Sequence, residues 1–117
     1  EMARNWHILR EEGVLTLCRQ APAQLDVRAA TVLPAGDPLR LAHQIRQDVW
    51  RAVRNVRGFS PVVRLEHQDG TIAVTAGGRV PGPVAPGLSA RIAAVLECPA
   101  NRRRWLAHAG RGRAVWS

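Results

Sequence analysis

The stretch "GDPLRLAHQIRQDVWRAVRNVRG", residues 36–58, predicts one long amphipathic helix around which the rest of the chain can be arranged. Asp37 stands at the N-cap, Pro38 at the first helical position and Gly58 just past the end, and each residue type is favoured at that place. Between these limits apolar residues recur every three or four positions, at Leu41, Ala42, Ile45, Val49, Ala52, Val53 and Val56. This spacing puts them on one face of a helix of about five turns.

The opposite face of this helix is polar and basic. It holds Arg40, Gln44, Gln47, Arg51 and Arg54, and Trp50 lies at the border between the two faces. A polar face on an amphipathic helix is either solvated or bound to a partner. The arginines on it are therefore the first candidates for a binding surface.

A hairpin and a third strand are predicted before the helix. Residues 6–20, "WHILREEGVLTLCRQ", have apolar stretches on both sides of a polar turn that ends in Gly13, which indicates a hairpin. Residues 25–34, "LDVRAATVLP", indicate a third strand that Pro34 closes. In the hairpin, Leu15 and Leu17 are expected on one side of the strand, with Val14, Thr16 and Cys18 on the other.

A second hairpin and two shorter helices are predicted after the helix. Residues 59–78 alternate between apolar and polar side chains around Asp69 and Gly70, a pair that suits a primed two-residue turn. Glycine and proline content predicts a loop over residues 77–87. The last elements are helices over residues 88–97 and 99–110.

The order of these elements is βββ-α-ββ-α-α, which predicts the α+β class. We expect an antiparallel sheet of four to five strands, with the long amphipathic helix and the short C-terminal helices packed on one face. A chain of 117 residues fits one core without a disulfide or a metal. The predicted division is therefore a single α+β domain over residues 1–110, followed by a basic C-terminal tail over residues 111–117.

The positive charge of the chain is concentrated in two blocks. All 17 basic residues are arginine, and the formal net charge is +8. Residues 38–64 hold six arginines and one acid, Asp48, and residues 98–117 hold five arginines and no acid. Charge concentrated in this way creates a local field that attracts anionic partners.

We predict that exposed arginines of both blocks contact phosphate groups or another partner. The absence of acids beside them leaves little ordinary ion pairing within each block, and Trp and Gly interleave with Arg at the chain end, as in basic nucleic-acid-binding tails. The candidate binding residues are Arg40, Arg51, Arg54, Arg57, Arg102, Arg103, Arg104, Arg111, Arg113 and Trp116.

A plainer interpretation of the same residues is a solvated surface that keeps the protein soluble. The lack of lysine has a plain explanation too, because the abundance of Ala, Gly, Pro and Val points to a GC-rich coding sequence. Trp105 falls where a helix needs a core residue and is expected to be packed rather than stacked on a base.

No motif in the chain indicates catalysis, a cofactor or a metal. The sequence has no GxSxG, no HExxH and no phosphate loop ending in GK[ST], and its four histidines lie on different elements. A zinc site built from His67, Cys18 and Cys98 is the least favoured alternative. We therefore expect a protein that is not an enzyme and that needs no cofactor.

The two cysteines and the chain's hydropathy favour a cytoplasmic location. Cys18 and Cys98 are eighty residues apart with no paired spacing, so two reduced thiols are expected rather than a disulfide. No apolar run is long enough to span a membrane, and "EMARNWHILREEG" lacks the apolar core of a signal peptide.

These features favour binding of a polyanion by a small basic protein, and nucleic acid is the predicted polyanion. The alternative is an adaptor or subunit that binds an acidic protein surface or itself, since Arg and Trp are also the residue types enriched at protein interfaces. The edges of the hairpins could pair across a homodimer.

Overall fold

The computed structural model of the protein describes residues 6–110, which form five strands and three helices. In chain order these are β1 (His7–Glu11), β2 (Val14–Cys18), β3 (Val27–Pro34), α1 (Pro38–Val53), β4 (Ser60–Gln68), β5 (Thr71–Arg79), α2 (Leu88–Glu97) and α3 (Pro99–Ala109). The α+β class and the predicted order βββ-α-ββ-α-α are confirmed.

The five strands form one antiparallel sheet in the order β1-β2-β4-β5-β3. The register pairs Leu15 with Leu65 and Leu17 with Val63, and Leu65 also pairs with Val74. Side chains that alternate along a strand point to one face, so these apolar residues form a continuous inner face. All five are almost fully buried, and Leu15 and Leu17 share one side of β2 as predicted.

The helices cover the inner face of the sheet. α1 packs against β4 and β2, α2 packs against β3 and α1, and α3 packs against α1 and α2. Burial of each large aliphatic side chain contributes roughly 1.5–3 kcal/mol, so the amphipathic face of α1 is a main source of cohesion. None of the helices in residues 6–110 is both long and apolar enough to cross a membrane.

The start of α1 agrees with the prediction and its end does not. The Asp37 carboxylate accepts a hydrogen bond from the Arg40 amide at 2.9 Å, and Pro38 is the first helical residue. The helix ends at Val53 rather than beside Gly58, and the Val56 amide donates to the Val53 carbonyl at 2.9 Å in a tight turn. This turn directs the chain back to β4. The helix therefore ends before Val56, although the apolar periodicity of the sequence continues to that residue.

Gly77 and Gly78 belong to β5 and not to the predicted loop, which is confined to residues 80–87. A Cβ atom on Gly77 would lie 1.9 Å from the Val27 carbonyl oxygen, and one on Gly78 would lie 2.2 Å from the Ser60 carbonyl oxygen. The glycine pair therefore allows the backbone to approach closely on both sides, a role that glycine content alone does not distinguish from a loop.

The second hairpin turns at Asp69–Gly70, as predicted, but the turn is not of the primed type. Gln68 pairs with Thr71 across it, which makes a two-residue connection. A primed turn needs a positive φ at its first central residue. Among residues 6–110 only glycines have positive φ, including Gly70 at 82°, so Asp69 does not meet that condition.

Candidate functional site

Net positive charge lies on the helices and not on the sheet. The strands and their two tight turns hold four arginines and four acids, whereas the three helices hold seven arginines and two acids. The sheet layer is thus balanced, and the helical layer has an excess of five positive charges from these counts. A field of this kind attracts anions to one side of a molecule.

The exposed side of α1 carries a stripe of arginines. Arg40 and Arg51 of α1, and Arg54 directly after its last residue, are all exposed, with Gln47 exposed between them. Arg40 and Arg54 are fourteen residues apart, which corresponds to about 21 Å along a helix. Arg40 and Arg54 have no side-chain partner in residues 6–110, and Arg51 lies 3.5 Å from Asp48 as an exposed pair.

Asp48, the single acid of α1, is engaged mainly by α3. Its Oδ2 atom accepts hydrogen bonds from Arg104 Nη2 at 2.9 Å and from Trp105 Nε1 at 2.6 Å, and the side chain is only 10% exposed. The indole of Trp105 is fully buried, which confirms that this residue is packed. The acid that could neutralise the stripe is therefore largely occupied in holding two helices together.

The three consecutive arginines of α3 have three different environments. Arg102 donates to the carbonyls of Leu96 and Val32 at 2.8 and 2.6 Å, and to Thr31 Oγ1 at 2.9 Å. Arg104 holds Asp48 and Asn101. Arg103 is exposed and has no partner in the described part of the chain. Phosphate contact by Arg102 or Arg104 would compete with these contacts, whereas Arg103 is available.

The remaining predicted binding residues divide into two groups. Arg57 is exposed in the turn after α1 and has no partner within residues 6–110. Arg111, Arg113 and Trp116, together with the predicted basic tail, lie outside the described residues. The part of the predicted site that the structure places at a surface therefore consists of Arg40, Arg51, Arg54, Arg57 and Arg103.

A shallow cavity of about 320 Å³ lies at the N-terminal end of α1, beside the stripe. It is lined by Leu39, Arg40, His43, Gln44 and His108. Burial, and to a smaller extent the charge of Arg46, lowers the pKa of His43 below its usual value. His43 is thus mainly neutral at physiological pH and adds hydrogen-bonding capacity to the cavity rather than charge.

Neither of the two cysteines forms a disulfide. Cys18 is buried, Cys98 is half-buried, and both are free thiols. Burial raises the pKa of the Cys18 thiol, which reduces its thiolate fraction and its nucleophilicity. Within residues 6–110 no group of three or more His, Cys, Asp or Glu residues is placed to hold a metal ion.

Sequence reasoning did not connect Trp6, Arg19 and Arg46, which meet beside α1. None of the three is among the predicted binding residues. In the structure both guanidinium groups lie over the Trp6 ring. The three residues belong to different segments of the chain, so no local sequence pattern indicates their contact.

These arrangements are suited to holding anions. Guanidinium groups offer several N–H donors in a planar fork that fits phosphate and carboxylate oxygens, and the helical layer presents them without matching acids. Comparison of the chain with known protein families, curated proteins and solved structures finds no match.

Proposed function

We propose that this protein is a non-enzymatic nucleic-acid-binding protein that contacts the phosphate backbone with the exposed arginines of its helical layer. The observation that carries the proposal is the exposed stripe of α1, where Arg40 and Arg54 have no side-chain partner in residues 6–110 and Asp48 is held by α3. Arg57 and Arg103 are exposed as well, and neither has a partner in residues 6–110.

The chemistry of the stripe favours a polyanion over a single small ligand. Its arginines are spread over about 21 Å of helix, a length that a chain of phosphates can follow and that one small anion cannot. Contacts of this kind are strongly salt-dependent and largely independent of base sequence. Binding is therefore expected to weaken by orders of magnitude between low and moderate salt.

The test is fluorescence anisotropy with labelled single-stranded and duplex oligonucleotides at about 50 and 200 mM salt. Arg40→Gln/Arg54→Gln is compared with Arg28→Gln/Arg79→Gln, which removes two exposed charges from β3 and β5 on the face of the sheet opposite the helices. The first variant should lose affinity and lower the logarithmic salt slope by about 1.8 on duplex, or 0.9 per contact.

The control variant distinguishes binding by the α1 stripe from attraction by the net charge of the whole protein. It should bind nearly as tightly as the unmodified protein, because Arg28 and Arg79 lie on the face of the sheet opposite the helices. Absence of binding at low salt would contradict the proposal. Equal weakening in the two variants would show that net charge, and not the α1 stripe, is responsible.

Binding of an acidic protein surface is the second candidate, and the exposure of Trp50 favours it. This indole is 39% exposed on α1, beside the arginine stripe, and Trp and Arg are the residue types most enriched at the centres of protein interfaces. A fixed 1:1 or 2:2 stoichiometry with a protein partner, without length-dependent binding to oligonucleotides, would support this candidate instead.

A further inference from the structure

Two arginines share one tryptophan ring on the flank of α1 that faces away from α3. The Arg46 Cζ atom lies 4.7 Å from the centroid of the Trp6 ring, and the Arg19 Cζ atom lies 5.5 Å from it. Both distances are within the range of cation–π contacts. One indole therefore holds two positive groups close together.

Within residues 6–110 no acid pairs with the two arginines of this cluster, and one of their N–H donors has no acceptor. Neither Arg19 nor Arg46 takes part in an ion pair within residues 6–110, and Arg46 Nε is buried with no hydrogen-bond partner there. Burial first, and then the charge of Arg19, lowers the pKa of Arg46. Buried N–H donors are almost always satisfied in proteins, so an oxygen-bearing group would complete the arrangement.

The space beside the two arginines is small and mostly walled by rings. A cavity of about 60 Å³ is lined by Trp6, Arg19, Arg46, Trp50 and Pro61. A cavity of about 10–15 Å³ is enough for one water molecule, so this one has room for a compact oxyanion of a few heavy atoms. Its apolar walls reduce the access of water, which strengthens the attraction between an anion and the guanidinium groups.

We propose that this cluster is a binding pocket for one phosphoryl group, held between the guanidinium groups of Arg19 and Arg46. A phosphate monoester carries a charge of about −1.5 to −2 at neutral pH, which matches two arginines better than the single charge of a carboxylate. Its several oxygens can accept hydrogen bonds from the guanidinium groups of both arginines at once. The pocket is separate from the α1 stripe and does not depend on nucleic-acid binding by that stripe.

The first test is a titration with inorganic phosphate at constant ionic strength, followed by NMR of the arginine Nε–Hε groups. The Arg46 signal, assigned by its loss in Arg46→Gln, should shift and saturate with phosphate and should not do so with chloride. A linear drift without saturation, or no shift, would overturn the proposal.

Thermal unfolding gives a second measurement on the same protein. Phosphate should raise the melting temperature of the unmodified protein and of Arg28→Gln, an exposed control arginine on β3, but not that of Arg46→Gln. Arg19→Gln changes an exposed residue outside the strands and helices, so its folding is secure. It should weaken phosphate binding by at least about tenfold, the effect of losing one charge-assisted hydrogen bond. Equal stabilisation of all variants by phosphate would overturn the proposal.

The source of the phosphoryl group is distinguished with oligonucleotides that carry or lack a 5′-phosphate. If a nucleic-acid end occupies the pocket, the 5′-phosphate should increase affinity, and Arg46→Gln should remove that increase. If free phosphate or a small monoester is the occupant, the oligonucleotides should bind equally while inorganic phosphate still saturates the Arg46 signal. Both results support the pocket and assign different sources to its ligand.

Discussion

The carboxylate of Asp48 shows how one residue decides which arginines are available. It accepts from the buried indole of Trp105 at 2.6 Å and from Arg104 at 2.9 Å, and its pair with the exposed Arg51 is longer, at 3.5 Å. Short contacts in a partly buried setting are worth much more than an exposed ion pair. Asp48 is therefore a structural residue first, and Arg51 remains available to a partner.

Removal of this carboxylate should destabilise the protein strongly. Asp48→Ala leaves the buried Trp105 N–H without an acceptor and Arg104 without its anion, so the free energy of unfolding should fall by about 3 kcal/mol. Asp48→Asn retains an acceptor and should cost about half as much. Urea unfolding measures both, with Arg51→Ala as a control that should cost at most about 0.5 kcal/mol. A cost for Asp48→Ala as small as that of the control would contradict this role.

His43 should make the stability of the protein depend on pH. Its pKa in the folded state is lowered, first by burial and then by Arg46, so the unfolded chain binds a proton more readily than the folded one. The free energy of unfolding should therefore fall as the pH drops below about 6.5 and level off once the folded-state pKa is passed. His43→Gln should reduce this decline, measured by urea unfolding between about pH 7.5 and 5.5.

The exposed histidine of β1 provides the control for this experiment. His7→Gln removes an imidazole from an exposed position and should leave the decline in place. An identical pH profile in His43→Gln and the unmodified protein would show that His43 does not contribute to it.

At the scale of elements, α3 separates three identical charges into three roles. Successive residues of a helix are about 100° apart around its axis, so Arg102 reaches the β3 edge, Arg103 faces solvent and Arg104 reaches α1. The run "RRR" has a uniform charge, but the packing of the helix on two sides leaves one member for binding. By donating to the Val32 carbonyl, the Arg102 side chain also covers part of the edge of β3.

Arg102 and Arg103 are therefore expected to differ when each is replaced by glutamine. Arg102→Gln should lower the free energy of unfolding by about 2 kcal/mol, because it removes charge-assisted hydrogen bonds between α3 and the sheet. Arg103→Gln should change stability by less than about 0.5 kcal/mol and should lower the salt slope of duplex binding by about 0.9. Urea unfolding and salt-dependent anisotropy distinguish the two, and matching behaviour of the variants would contradict the division of roles.

In the molecule as a whole, the arginines of the helical layer repel one another, whereas the positive and negative charges of the sheet layer are equal in number. The helices hold seven arginines and two acids, and four ion pairs occur within residues 6–110. Exposed pairs contribute about 0–1 kcal/mol each, and the short Asp48–Arg104 pair is shielded from salt by its burial. Repulsion among the exposed arginines is therefore expected to outweigh the attraction that salt would screen.

The melting temperature should accordingly rise with sodium chloride. Between about 20 and 300 mM, over which the screening length falls well below the length of α1, we expect a rise of roughly 2–5 °C, equivalent to up to about 1 kcal/mol. Arg40→Gln/Arg54→Gln should show a smaller rise, as measured by circular dichroism. A melting temperature that falls with salt would mean that ion pairs, and not repulsion, dominate.

Most of the fold could be predicted from local sequence because its signals are local. Asp37 and Pro38 define the start of α1 through contacts within one turn, and the alternation of Leu15 and Leu17 defines their side of the sheet. The predictions are wrong where contacts with distant parts of the backbone determine the local structure. α1 ends early to reach β4, and Gly77 is a strand residue because the Val27 carbonyl passes beside it.

Local sequence patterns predict the list of elements, their inward faces and the surplus of arginine, since periodicity, capping and charge are properties of neighbouring residues. Which arginines bind the protein itself, and which are left for a partner, depends on the packing of the elements. Arg102 meets Val32, 70 residues away, and Arg104 meets Asp48, 56 residues away. Contacts at such separations depend on how helices pack on the sheet, and no local pattern encodes them.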